Sequence, residues 1–167
     1  MAGYRRVFIA GGSYFFTLCL EQRGSTLLTD RIAELRAAWQ RTFREFPVRV
    51  EAMVILPDHL HAVLTEPEGE VNFPERWRRM KARFSHAVPD RPDRRPSLLR
   101  RRERGIWQRR YWEHCLRDGA SLHAAVEFCR WNPVRHGLTE APDDWPYLFI
   151  RADRTEGQDR PRRASGP

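Results

Sequence analysis

A proline–aspartate link between two apolar runs constrains this chain more than any other feature. Before it, Val48 to Leu56 alternates Val48, Val50, Ala52 and Val54 against Arg49, Glu51, Met53 and Ile55, the period-two pattern of a strand. After it, His59 to Thr65 reads as the returning strand, so Pro57-Asp58 closes a β-hairpin. Successive strand side chains point to opposite faces, so His59 and His61 share one face while Leu60 and Ala62 share the other. Two imidazoles on one face of a rigid strand suit chelation of a divalent cation. They equally suit a strand with two solvent-facing histidines. The rest of the chain has to decide.

Upstream, Ser13 to Leu20 is aromatic and apolar and reads as a buried strand. Thr29 can cap a helix from Asp30, in which Ile32, Leu35, Trp39, Phe43 and Phe46 recur at three- and four-residue intervals until Pro47 stops it. Strand, helix, strand, strand is the first part of a ferredoxin-like α+β fold, an antiparallel sheet with helices packed on it. Downstream, Pro74 suits the first turn of another helix. Trp77, Met80, Phe84 and Ala87 form its inner face, and Arg76, Arg78, Arg79, Lys81 and Arg83 its outer face.

Pro89 to Gly105 is a Pro/Arg-rich insert with little capacity to form core, read as a flexible loop. Ile106 to Leu116 returns to strand character, and Asp118 or Ser121 starts a last helix from Leu122 to about Trp131. Leu122, Ala125, Val126 and Cys129 are its buried stripe. Phe128 and Asn132, four residues apart, share a neighbouring face. Pro133 biases Asn132 away from α geometry, which assigns it to the helix end. Residues 1–150 thus read as one domain and 151–167 as a basic, disordered tail.

A chain of 167 residues supports one sizeable core. Its formal net charge is +8, and all but one of its 30 basic residues are arginine, the exception being Lys81. Arginine suits bidentate phosphate contact and stacking on bases, so the charge balance points to nucleic acid. Three cysteines without metal-ligand spacing fit a reducing cytoplasm. No segment approaches the ~20 apolar residues of a membrane span. Gly11-Gly12 lacks the lysine and helix of a phosphate loop. His86, His114, His123 and His136 read individually as structural residues.

Taken together, several stretches resemble one family. PDHLH after an apolar strand, the basic helix with WRRMK, then IWQRRYWEHCLRD, WNPVRHGL and DDWPY are similar, in matching order, to the REP-associated tyrosine transposases. These are relatives of the single-tyrosine HUH transposases. YRR, GGSYFFT and LLTD fit as well, and the resemblance covers about residues 4–150. It implies an HUH endonuclease fold that nicks and rejoins single-stranded DNA beside short palindromic hairpins through a 5′-phosphotyrosine. By that resemblance His59 and His61 are ligands of a divalent cation, Mg²⁺ or Mn²⁺, and Asn132 completes the metal site.

The chain departs from the pattern at one position. The family's nucleophilic tyrosine lies four residues before the polar ligand, and Phe128 stands there. Phenylalanine keeps the ring and lacks the attacking oxygen, so the chain as written binds without cleaving. A deliberate Tyr→Phe exchange and a natural copy turned binding protein both account for it, and the intact remainder of the site favours the first. Tyr111 is a weak candidate substitute. Expected DNA contacts are Arg5, Arg6, Arg78, Lys81, Arg109 and Arg110, with Trp77, Trp107 or Trp112 as candidate stacking residues. A metal-dependent hydrolase built on His59 and His61 is the remaining alternative, and a monomer is the expected state.

Overall fold

The computed structural model describes residues 8–90, 96–101 and 104–152. Five strands form one sheet: β1 (Ser13–Cys19), β2 (Arg49–Ile55), β3 (His59–Thr65), β4 (Trp112–Leu116) and β5 (Leu148–Ile150). Their order is β4-β1-β3-β2-β5, and every neighbouring pair is antiparallel. The first four strands give the ferredoxin-like order anticipated from the sequence, and β5 extends the sheet beyond β2.

Helices cover both faces. The short α1 (Leu27–Asp30), α2 (Ile32–Glu45) and α3 (Phe73–Ala87) lie on one face, where Phe16, Leu18, Leu60, Ala62 and Leu64 meet Leu35, Phe73, Trp77 and Phe84. The other face carries Phe15, Ala52, Val54 and Val63 against α5 (Gly119–Arg135). With helices on both sides, β3 is buried along its whole length. Its histidines are therefore core-facing, and the reading of two solvent-facing histidines falls.

Several expectations need correction. The alternation in β2 does not run through: a register shift between Val50 and Ala52 puts Val48 and Val50 with the α2/α3 core and Ala52 and Val54 with the α5 core. The fourth strand is shorter than 106–116, because Trp107 joins the sheet by a single bridge to Leu20. The insert at 89–105 contains a one-turn helix, α4 (Pro96–Arg100).

Arg76 is fully buried rather than outward. Its guanidinium grips the Glu66 carboxylate at 2.5 and 3.0 Å and donates to the Phe46 carbonyl. The last helix also runs past Trp131 and takes in Asn132. α5 runs through Pro133 to Arg135, since a proline in the last turn forfeits one hydrogen bond without unwinding it. Gly137, at φ 65, ends the helix in the left-handed conformation and His136 caps it.

Candidate metal and DNA site

Asp58 fixes the first imidazole. Its carboxylate accepts from His59 Nδ1 at 2.5 Å and from the Gly24 amide at 2.7 Å, with Arg23 3.4 Å away. Burial works to raise the Asp58 pKa, but these partners outweigh it and hold the carboxyl below its ordinary range. Thr17 fixes the second imidazole, its Oγ1 lying 2.8 Å from His61 Nδ1. Both rings therefore keep Nε2 for another partner, and outer hydrogen bonds of this kind orient metal-ligating histidines in general. Burial pushes both pKa values down, His61 to about 3, so both rings are neutral and able to ligate at neutral pH.

The facing helix contributes one stripe: Phe128, Asn132 and His136, successive residues four apart. The Phe128 ring meets His61 edge-on at 5.2 Å between centroids, and the His136 ring lies 5.1 Å from His59. Asn132 belongs to the turn between them. It is buried, and its Oδ1 has no hydrogen-bond partner among the described residues. A buried amide oxygen without a partner costs about 1–3 kcal/mol, so this atom has reason to meet a cation. Among the described residues no set of three His, Cys, Asp or Glu side chains forms a metal site. The donor set that fits is two imidazoles plus this amide oxygen.

His136 is the member that sequence reasoning missed. Its approach to His59 depends on α5 continuing past Pro133 and on the turn at Gly137. Phe128 lies against His61, and His61 against His59, while Asn132 is buried on the helical turn between Phe128 and His136. Tyr111 does not join them: it packs with Phe16 on the α2/α3 face of the sheet. Cys129 is buried, and burial pushes its thiol up to about 12, so it packs rather than reacts.

The cationic candidates divide. Arg78 and Lys81 belong to α3, on the sheet face opposite the imidazoles. Arg78 is held by Glu75 at 2.7 and 2.6 Å. Lys81 is not an outward residue: its Nζ donates to the Gln108 carbonyl at 2.6 Å, and burial lowers its pKa to about 8. Both line a cleft of about 420 Å³ that Arg109 also borders. Arg109 and Arg110 are exposed and lead directly into β4. Arg5 and Arg6 lie outside the described residues. Trp77 and Trp107 are core residues and cannot stack on bases, whereas Trp112 is 53% exposed.

No family model matches this chain. Among curated proteins it is 40% identical over 92% of its length to a protein of Haemophilus influenzae named "Putative REP-associated tyrosine transposase", covering 88% of that protein. It is 37% identical over 94% of its length to the REP-associated tyrosine transposase of Escherichia coli, covering 87% of it. Among solved structures, one of a REP-associated tyrosine transposase bound to a REP hairpin superposes with a TM-score of 0.77. That match is 38% identical and covers 89% of this chain and 82% of that one.

Proposed function

This chain belongs to the REP-associated tyrosine transposases, and from that premise we propose that it binds single-stranded DNA at palindromic, REP-type hairpins without cleaving it. Its relative in the solved structure is bound to a REP hairpin, which supports the choice of partner. In this reading residues 1–150 are the DNA-processing domain and 151–167 a basic tail. The protein acts in the cytoplasm as a monomer, since only two residues separate β4 from α5 and one chain supplies the whole site.

His59 and His61 through Nε2, and Asn132 through Oδ1, would hold a divalent cation. Two imidazoles and an amide suit Mn²⁺ better than Mg²⁺, though either is accommodated. When bound, the ion polarises the scissile phosphate and stabilises its developing charge by several kcal/mol. The chain's own residues prepare that site: Asp58 and Thr17 lock the two rings, and the pair of cores excludes water behind them. Arg109 and Arg110 would neutralise flanking phosphates. In the family reaction a tyrosine oxygen attacks phosphorus, the P–O3′ bond breaks, and a 5′-phosphotyrosine and a free 3′-OH result.

One observation carries the account of inactivity. The ring beside His61, one turn before Asn132, is Phe128, which offers no oxygen. Restoring it tests the reading. Phe128→Tyr with Mn²⁺ should yield a covalent protein–DNA adduct and a free 3′-OH on a hairpin oligonucleotide, where the parent chain yields neither. Tight hairpin binding without any adduct would leave the chain a natural, non-catalytic hairpin-binding protein. Metal binding without salt-sensitive DNA affinity would favour a metal-dependent hydrolase instead.

A further inference from the structure

We propose that Trp112, His114 and Phe128 form a stacking site for one unpaired nucleobase, next to the phosphodiester held at His61. This rests on the DNA-binding reading above and adds to it a specific place where the strand is gripped.

The sheet register sets the geometry. Thr17 pairs with His61 on one side and with Trp112 on the other, so Trp112, Thr17 and His61 form one row across three strands. Two strand spacings separate Trp112 from His61, roughly 10 Å. β4 is an edge strand, so a second chain can approach it from outside. Its α5-facing side carries Trp112 and His114, whose rings are stacked with centroids 5.7 Å apart and planes within 8° of parallel. Phe15 forms the floor, its ring 5.7 Å from Trp112, 5.3 Å from His61 and 5.4 Å from Phe128.

A tryptophan at this position should be buried by the helix above it, and it is not. Ala124 and Ala125 of α5 are too small to fill the space. An open cleft of about 520 Å³ therefore runs from Trp112 to His61 and Phe128. Its walls are aromatic or aliphatic, and its one hydroxyl, on Thr17, is already engaged with His61. Such a cleft takes a flat apolar face and reads little of its edge.

The surroundings say what that face belongs to. Arg110, exposed two residues before Trp112, and Arg135, whose guanidinium lies 5.2 Å over the Phe128 ring, put cations at both ends of the cleft. An aromatic platform flanked by arginines suits an unpaired base whose phosphates lie on either side. Continuity with His61 makes the occupant the nucleotide adjoining the bound phosphodiester, rather than one of the paired stem.

A labelled DNA hairpin with single-stranded flanks, made abasic at one flanking nucleotide at a time, tests this against the parent chain, Trp112→Ala and Trp112→Phe. One abasic position should weaken the parent about 5- to 150-fold, the range of a single base–aromatic stack. Trp112→Ala should lose the same factor on intact DNA and be indifferent to that position, and Trp112→Phe should retain most of the affinity. 2-Aminopurine at that position should be quenched by the parent and not by Trp112→Ala. Equal losses at every abasic position, or no loss in Trp112→Ala, would overturn the stacking site while leaving DNA binding intact. Hairpin affinity indifferent to salt would instead overturn the DNA-binding reading, and the stacking site with it.

Discussion

Asp58 accepts the Nδ1 proton of His59 at 2.5 Å, so the residue that closes the hairpin also sets the tautomer of the first imidazole. The same carboxylate binds the Gly24 amide, tying the loop after β1 to the site. Asp58→Asn keeps the shape and loses the charge that makes the ring basic. It should weaken Mn²⁺ affinity about 10- to 100-fold, measured by titration calorimetry, with only a small change in fold. An unchanged affinity would mean that His59 does not ligate.

Protonation provides a second handle on the two imidazoles. Both have pKa values lowered by burial, His61 to about 3, against about 6.5 in an unfolded chain. Between those values the unfolded state binds the proton and the folded state does not, so stability falls as pH falls below about 6.5. The metal-free protein should lose up to ~1.4 kcal/mol per pH unit for His61 in that window. His61→Gln should flatten the profile, read by urea unfolding at about pH 7 and about pH 5. Carboxylates enter only nearer their own unfolded values around pH 4.

The buried Arg76–Glu66 pair offers a test of the fold rather than of the site. Both side chains are fully inaccessible, and Arg76 also holds the Phe46 carbonyl just after α2. Removing one partner strands the other charge, so Arg76→Met or Glu66→Gln should each cost about 3–5 kcal/mol in urea unfolding. The double replacement Arg76→Met with Glu66→Met should recover much of that loss, because no charge is left without its partner.

That pair also marks where the sequence stops being informative. An arginine two residues before the next one on a basic helix looks solvated, and its partner Glu66 opens an acidic, Pro- and Gly-containing stretch, Glu66 to Glu70. Only the packing of α3 against α2 removes both from water. The hairpin, the shared face of His59 and His61 and the helical stripes, apart from the exposed Ala87 at the end of α3, were legible because each is set by local periodicity. The bulge beside Glu51 was not, since one extra residue inverts the facing without altering composition. β5, three residues long, has too few positions for any period to show. His136 entered the site through a helix that outlasts Pro133, a tertiary outcome that the local bias against helix before proline did not forecast.

Salt dependence separates the arginines. Each phosphate contact on single-stranded DNA contributes about 0.7 to the slope of log affinity against log salt. Arg109 and Arg110 are exposed beside β4, so replacing both with alanine should lower the slope by about 1.4, uniformly across sequences. Arg78 is already committed to Glu75, and Arg78→Ala should lower it by distinctly less. Fluorescence anisotropy over a salt series distinguishes these, and an equal effect of all three would deny that Glu75 competes with DNA.

Asn132 makes the sharpest prediction, because stability and metal binding should move in opposite directions. Its buried Oδ1 has no partner among the described residues, a standing cost of about 1–3 kcal/mol in the metal-free protein. Asn132→Leu has similar volume and no polar atom to satisfy, so without metal it should be at least as stable as the parent. The parent's melting temperature should rise with Mn²⁺, by the mass-action stabilisation that any ligand of the native state provides. Asn132→Leu should lose most of that rise. A residue retained for packing would show the reverse: a destabilised variant whose response to Mn²⁺ is intact, which would remove Asn132 from the ligand set and leave the two imidazoles to hold the ion alone.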